Sequence, residues 1–192
     1  MATTQRGLSL EEFLQLPDAE PALEYMNGTV TQKVAPKLQH GRLQLMLGEY
    51  LRRYAEPRGL AMVFTETRST FAGSSPVPDV AVCRWERVPL GPGGELLNDL
   101  YEPPDVAVEI LSPEQHRADL IAKCAWYVAH GSALALLVDP DDRSVMAFRP
   151  AEAPVVLYGA DAIDFAPVLP GLRLRVRTLF GWLRPRRPRR QA

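Results

Sequence analysis

The sequence predicts an α/β or α+β sheet domain, and three observations carry that reading. The 192 residues are 46% hydrophobic and 23% charged, the balance of one ordinary globular domain with its own core rather than of two. Short β-branched runs alternate with longer segments of helical period. The string Pro-Asp-Val-Ala-Val occurs twice, at 78–82 and 104–108, each time opening such a run.

Ser9 and Glu12 have capping-box spacing, and Leu10, Phe13, Leu14 and Leu16 form an apolar stripe, so a short helix is expected over 9–16, closed by Pro17. The segment 22–34 reads as a hairpin around Asn27-Gly28, the dipeptide that most readily takes two successive positive φ values. From Gln39 to Glu56, Leu43, Leu47, Tyr50, Leu51 and Tyr54 recur at helical spacing, which predicts an amphipathic helix packed on a sheet and stopped by Pro57 and Gly59. Leu60 to Phe71 reads as a strand, turned back at 73–76 into a second strand over 78–85. The proline- and glycine-rich stretch 87–104 has the composition of an exposed excursion. Residues 104–112 form a strand expected to be buried on both faces. Pro113 then falls in the first turn of a helix running to about His130 and ended by Gly131. Strands follow over 133–140, 144–150, 154–158 and 172–176.

Charge divides the chain. Its 22 basic and 23 acidic groups nearly cancel, yet from Phe165 onward there are eight arginines and no carboxylate. The body is therefore acidic and the C-terminal end basic, a pattern unlike that of a protein coating nucleic acid over its whole surface. Cys83 and Cys124 sit in apolar surroundings and do not make a disulfide scaffold, so a cytoplasmic location is expected. The longest apolar run, Ala133 to Val138, falls far short of the ~20 residues of a membrane span, and the N-terminus lacks a signal-peptide core. There is no phosphate loop, no H-E-x-x-H, no C-x-x-C and no G-x-S-x-G. With only His40, His116 and His130, a multi-histidine zinc site is not expected.

What remains is acids in awkward places. Glu109 stands inside an apolar strand, where an unpaired carboxylate costs several kcal/mol, so it needs a partner, a metal or a cleft, unless its strand is an edge facing water. Asp79 opens a strand after Pro78 and, taken alone, reads as a turn acid. Asp119, Lys123 and Tyr127 lie at i, i+4 and i+8 on one helix face, with His116 close by. Asp119 and Lys123 could be an ordinary exposed ion pair. Lys123, however, is the only lysine in the last 155 residues and is flanked by Ala122 and Cys124, which favours a functional amine. Glu66 and Arg68, two apart before Asp79, could line the same cleft or simply face solvent.

LEYMNG at 23–28, His40 at the next helix start, PDVAV at 78–82, VEILSP at 108–113, then Asp119, Lys123, Tyr127 and LLVDP at 136–140 together resemble the Uma2 family (DUF820) of the PD-(D/E)xK nuclease superfamily. The resemblance implies a restriction endonuclease-like fold, a central mixed sheet flanked by helices, over 1–176. Residues 177–192 are expected to add a short helix and an Arg/Pro-rich tail. It implies that Asp79, Glu109 and Lys123 are the catalytic groups with Glu24 in support, the lysine coming from the helix rather than from position 111, which is Leu111. Asp79, Glu109 and Glu24 would hold Mg²⁺ or Mn²⁺, hard ions suited to oxygen donors. Lys123 would orient or deprotonate the attacking water or neutralise charge on the phosphate, and Tyr127, Asp119 and His40 are the supporting residues. The expected activity is metal-dependent endonucleolytic hydrolysis of DNA, by a homodimer in analogy with the superfamily, without organic cofactor or membrane. Apart from the resemblance, the prolines around Arg186, Arg187, Arg189 and Arg190 block a regular helix, and this basic arm could contact nucleic-acid phosphates or be a disordered tail that only aids solubility. The competing readings are a catalytically idle nucleic-acid- or partner-binding protein of the same fold, and a hydrolase of smaller phosphate esters.

Overall fold

A computed structural model describes residues 4–184. The N-terminal part is a three-stranded antiparallel sheet, β1 (Thr4–Arg6), β3 (Thr29–Gln32) and β2 (Leu23–Met26) in that spatial order, with α1 (Leu10–Leu14) against it. The capping box at Ser9 forms as its spacing predicts, Glu12 N–H donating to Ser9 Oγ at 3.1 Å and Ser9 N–H to Glu12 Oε2 at 2.7 Å. Asn27 and Gly28 take φ of 49° and 79°, the two-residue turn that their identities specify.

The body is a six-stranded mixed sheet in the order β4 (Ala61–Thr65), β5 (Val80–Arg84), β6 (Val106–Ile110), β7 (Leu134–Asp139), β8 (Ser144–Phe148) and β9 (Val155–Tyr158). All neighbours are antiparallel except β6 and β7. A parallel pair requires a crossover connection, and α3 (Arg117–Ala129) supplies it. On one face α2 (Leu38–Ala55) lays Leu43, Leu47 and Leu51 onto Val80, Val82, Val106, Val108 and Ile110, joined by α4 (Val176–Gly181) through Leu179 and Phe180. On the other, Leu120, Cys124 and Tyr127 of α3 meet Ala107, Ala135 and Leu137. A two-stranded ribbon, β10 (Ala162–Asp164) with β11 (Arg173–Arg175), completes the fold. Both cysteines are buried and free.

Two expectations are corrected. The strand over 60–71 ends at Thr65, because Glu66 adopts φ 51° and leaves the ladder, after which Ser69 and Phe71 pair elsewhere. The helix after β6 starts at Arg117, with His116 as N-cap. Ser112 and Gln115 close a separate turn ahead of it, Gln115 N–H donating to Ser112 O and Ser112 N–H to Gln115 Oε1, so Pro113 lies outside the helix. β1 and β10 had no legible signal, each being three residues long. The arginines at 186, 187, 189 and 190 lie outside the described residues. Among the described residues no helix is long and apolar enough to cross a membrane.

Candidate active site

The site forms where β5 begins and β6 ends, at one rim of the six-stranded sheet. β5 and β6 are antiparallel, with Val80 opposite Val108, so Asp79 at the head of one strand lies beside Glu109 and Ile110 at the tail of the other. Asp79 is 2% exposed, and its Oδ2 accepts from Ile110 N–H at 2.6 Å. Its Oδ1 accepts from Lys33 Nζ at 2.6 Å and stands 3.5 Å from His40 Nε2. Those partners exclude the solvated turn acid.

Glu109 is likewise 2% exposed on a central strand, which removes the edge-strand reading. Its Oε1 accepts from Tyr127 Oη at 3.0 Å and lies 2.8 Å from Lys123 Nζ. The ammonium of Lys123 also reaches Glu24 Oε1 at 2.6 Å, and Glu24 is pinned by Val77 N–H at 2.6 Å. Asp79, Glu109, Lys123 and Glu24 thus converge from β5, β6, α3 and β2. Tyr127 is fully buried and both packs in the core and donates to Glu109. Asp119 is corrected: although it shares helical spacing with Lys123, it is exposed in the first turn of α3 and pairs with no cation among the described residues. His116 is exposed at the helix start. His40 is drawn in more closely than a helix-start histidine need be, with Ser112 Oγ at 3.0 Å from its Nδ1 fixing the ring while Nε2 faces Asp79.

Sequence reasoning missed Lys33, Gln44 and Ser112. Lys33 ends the N-terminal hairpin and joins Glu66 Oε2 to Asp79 Oδ1, each at 2.6 Å. As one of three lysines in the chain it carried a compositional signal that went unused. Gln44, one turn after His40, donates to Glu66 Oε1 at 2.8 Å and to Asp79 O at 3.0 Å, so Glu66 is held toward the cluster although it is exposed. Arg68 points elsewhere, donating to Leu23 O at 2.8 Å and bracing the hairpin. Lys33, His40, Gln44 and Glu66 border a cleft of about 510 Å³.

Four carboxylates (Glu24, Glu66, Asp79, Glu109) face two ammonium groups, leaving a negative surplus that a cation would balance. The expected donor set of Asp79, Glu109 and Glu24 is split: Glu24 and Glu109 turn to Lys123. Among the described residues, the three groups whose ligand atoms all lie within 4.8 Å of one another are His40, Glu66 and Asp79. The two carboxylates are donors that Mg²⁺ or Mn²⁺ accepts, while the imidazole departs from the all-oxygen set that Mg²⁺ prefers, so the residues fit a divalent ion, Mn²⁺ better than Mg²⁺.

Burial works against every charge here, and the neighbours decide which survive. Burial would raise Asp79, but the His40 hydrogen bond and the Lys33 charge hold it well below the usual carboxylate range. Burial would discharge Lys123, but Glu109 and Glu24 outweigh it and keep the ammonium charged well above the ordinary lysine value. Lys33 is raised in the same way, Asp79 and Glu109 overcoming its desolvation. Glu109 is the exception: burial pushes it up to about 7, helped by Asp79 and Glu24 against Lys123. Its proton, not that of Lys123, is the labile one near neutrality. His40 is also raised, its desolvation being exceeded by Asp79.

A pH dependence follows. Glu109 and His40 both bind protons more tightly folded than unfolded, so each contributes stability that is present at low pH and lost as pH rises. For Glu109 the window runs from 4.5 to about 7, and for His40 it lies above 6.5. Asp79, lowered, loses its contribution only below 3.8. Urea unfolding in a chelating buffer is expected to show stability falling from about pH 5 to pH 8, with Glu109→Gln flattening the lower part of the slope. A wild-type curve that rises over this range contradicts the assignment.

The model of the Uma2 family, described as "putative restriction endonuclease", matches residues 10–177. The chain belongs to the Uma2 family. The matched span contains every residue of the cluster. A crystal structure of a protein from Anabaena variabilis, described as a "putative nuclease belonging to DUF820", is similar to this Uma2 chain at 33% identity with a TM-score of 0.89, over 92% of this chain and 99% of the other. No curated protein matches the sequence. The mixed sheet flanked by helices is therefore a nuclease-type fold, as the resemblance implied, and the family places the chain among nuclease-like hydrolases.

Proposed function

We propose that this Uma2 protein is a divalent-metal-dependent nuclease that hydrolyses phosphodiester bonds in DNA. The observation that carries the reading is the convergence of Asp79, Glu109 and Lys123, from three separate elements, at one rim of the sheet beside an open cleft. The buried carboxylates Asp79, Glu109 and Glu24, with the exposed Glu66 at their edge, outnumber the two ammonium groups of Lys33 and Lys123, a balance that supports a cation-binding role.

Asp79 with Glu66 and His40 would hold Mg²⁺ or Mn²⁺, with Glu109 alongside. Such an ion would polarise the scissile phosphate and acidify a water. The chain's own groups supply the rest. Lys123, kept charged by Glu109 and Glu24, is a hydrogen-bond donor and not a proton acceptor, so of the two roles open to it charge neutralisation on the phosphate is favoured. Glu109, titrating near neutrality, is the group suited to taking a proton from the attacking water. Tyr127 and Ser112 hold Glu109 and His40 in place. The idle-binder alternative has no observation in its favour at this site.

Circular and linear DNA incubated with the wild type in Mg²⁺ or Mn²⁺ is expected to be cut, and chelation or Asp79→Ala to lower cutting by about 10²–10³-fold, an effect of the size seen when charge-stabilising groups are removed. The ions should also raise the Tm of the wild type and not that of the variant. Cleavage that survives Asp79→Ala removes Asp79 from the mechanism.

A further inference from the structure

At the same rim, a cavity of about 300 Å³ is lined by Arg143, Arg177, Arg184 and Phe180. The sheet register relates the two places. Ile110, which donates to Asp79, is opposite Val138, then Val145, then Leu157. Arg143 precedes Val145 by two residues and Gly159 follows Leu157 by two, so both lie on the rim that carries the acidic cluster. Three strand spacings put the cavity about 14 Å from it, roughly four base-pair steps along a duplex. α2 connects the two on the outside: His40 faces Asp79, and two residues later Arg42 donates from Nε to Trp182 O, at the end of α4, at 3.3 Å.

The three arginines are exposed, and none pairs with a carboxylate among the described residues. Of the nearby acids, Asp142 is engaged by Arg117 and Tyr158 Oη and Asp161 by Tyr158 N–H, while Asp141 is exposed and pairs with none of the three arginines. Unbalanced positive charge in a concavity is a site for an anion. Arg143 adds a second, independent observation. It holds φ 51° at the end of the β7–β8 turn, a conformation that glycine or asparagine adopts with less strain. Asp139 already closes that turn by accepting from Asp141 and Asp142 N–H, so the turn itself does not need an arginine.

We infer that the Arg143, Arg177 and Arg184 cavity binds a backbone phosphate of the nucleic-acid substrate, anchoring the strand a few nucleotides from the bond that is cut. The inference rests on the nuclease reading above. It assigns the cavity to positioning, with no part in the chemistry.

The test uses a fluorescein-labelled duplex DNA and the full chain, as wild type, Arg143→Gly, Arg177→Ala/Arg184→Ala, the triple variant, and Arg58→Ala as a control at the opposite rim. Anisotropy titrations over a salt series are expected to show the triple variant binding at least 10-fold more weakly, its log–log salt slope reduced by about one, the change for one lost phosphate contact. In Mg²⁺ its KM for cleavage should rise by a similar factor with kcat unchanged, and Arg58→Ala should match the wild type in both assays. Arg143→Gly alone should weaken binding while raising Tm by roughly 2–4 °C, a combination that a packing role does not produce. A triple variant that binds and cuts like the wild type overturns the inference and leaves the nuclease reading intact, as does a fall in Tm for Arg143→Gly with unaltered binding. If the wild type itself neither binds nor cuts DNA, the nuclease reading fails, and this inference with it.

Discussion

Replacing Lys123 by methionine is expected to lower kcat by about 10²–10³, the range for removing one preorganised donor from a developing oxyanion, and to destabilise the fold by about 3–5 kcal/mol. Both effects come from the same geometry. Lys123 Nζ is the shared partner of Glu24 at 2.6 Å and Glu109 at 2.8 Å, so its removal leaves two buried carboxylates facing each other without a cation. The loss of stability should shrink as pH falls from 8 to 5, because Glu109 already titrates at about 7 and protonates more readily once the ammonium is gone. Adding Glu24→Gln to Lys123→Met should restore part of the stability and none of the activity. Urea unfolding at several pH values and single-turnover cleavage check these outcomes. A destabilisation that does not vary with pH would show that Glu109 is not the group being stranded.

Asp105→Ala should destabilise the protein comparably, by about 3 kcal/mol, while leaving the specific activity of the folded fraction unchanged. Asp105 is the aspartate of the second Pro-Asp-Val-Ala-Val string and is 1% exposed. It accepts from Arg84 N–H at 2.7 Å, Arg84 Nη1 at 3.0 Å and Arg87 Nη1 at 2.8 Å. Both arginines are partly exposed, so most of the effect comes from the unsatisfied Arg84 N–H and the lost clamp on the 87–104 excursion rather than from stranded charge. Loss of activity per folded molecule would mean that the two rims of the sheet are coupled.

The two strings show how far the sequence could be read. They are chemically alike, and both were correctly placed at strand starts. Because β5 and β6 run antiparallel, however, identical strings deliver their aspartates to opposite rims, one into the cluster and the other into an arginine clamp. Strand direction is a property of the sheet, invisible in five residues. Glu109 was legible because a charged residue in an apolar strand violates hydrophobic patterning, and Lys123 because it violates it in a helix. Asp119 was misplaced by the same helical logic: it is i−4 from Lys123, but the buried stripe of α3 runs through Leu120, Lys123, Cys124 and Tyr127 and leaves Asp119 exposed beside it. Lys33, just past the end of β3, and Gln44, in an amphipathic helix, were missed because a polar residue is unremarkable at either place, and only the meeting of hairpin, α2 and β5 gives them partners. Glu66 was assigned to a continuing strand, and its left-handed backbone, which turns it toward Lys33, leaves no trace in a non-glycine residue.

The ammonium of Lys33 has a consequence for ion uptake. It sits between Asp79 and Glu66 as an internal counter-ion, so a divalent ion entering there competes with a tethered positive charge already in place. Occupancy then costs the displacement of an amine, which weakens affinity while sparing the empty site the self-repulsion of bare carboxylates. Lys33 thus fills, within the chain, part of the charge-balancing role that small metal-dependent domains leave wholly to their ion.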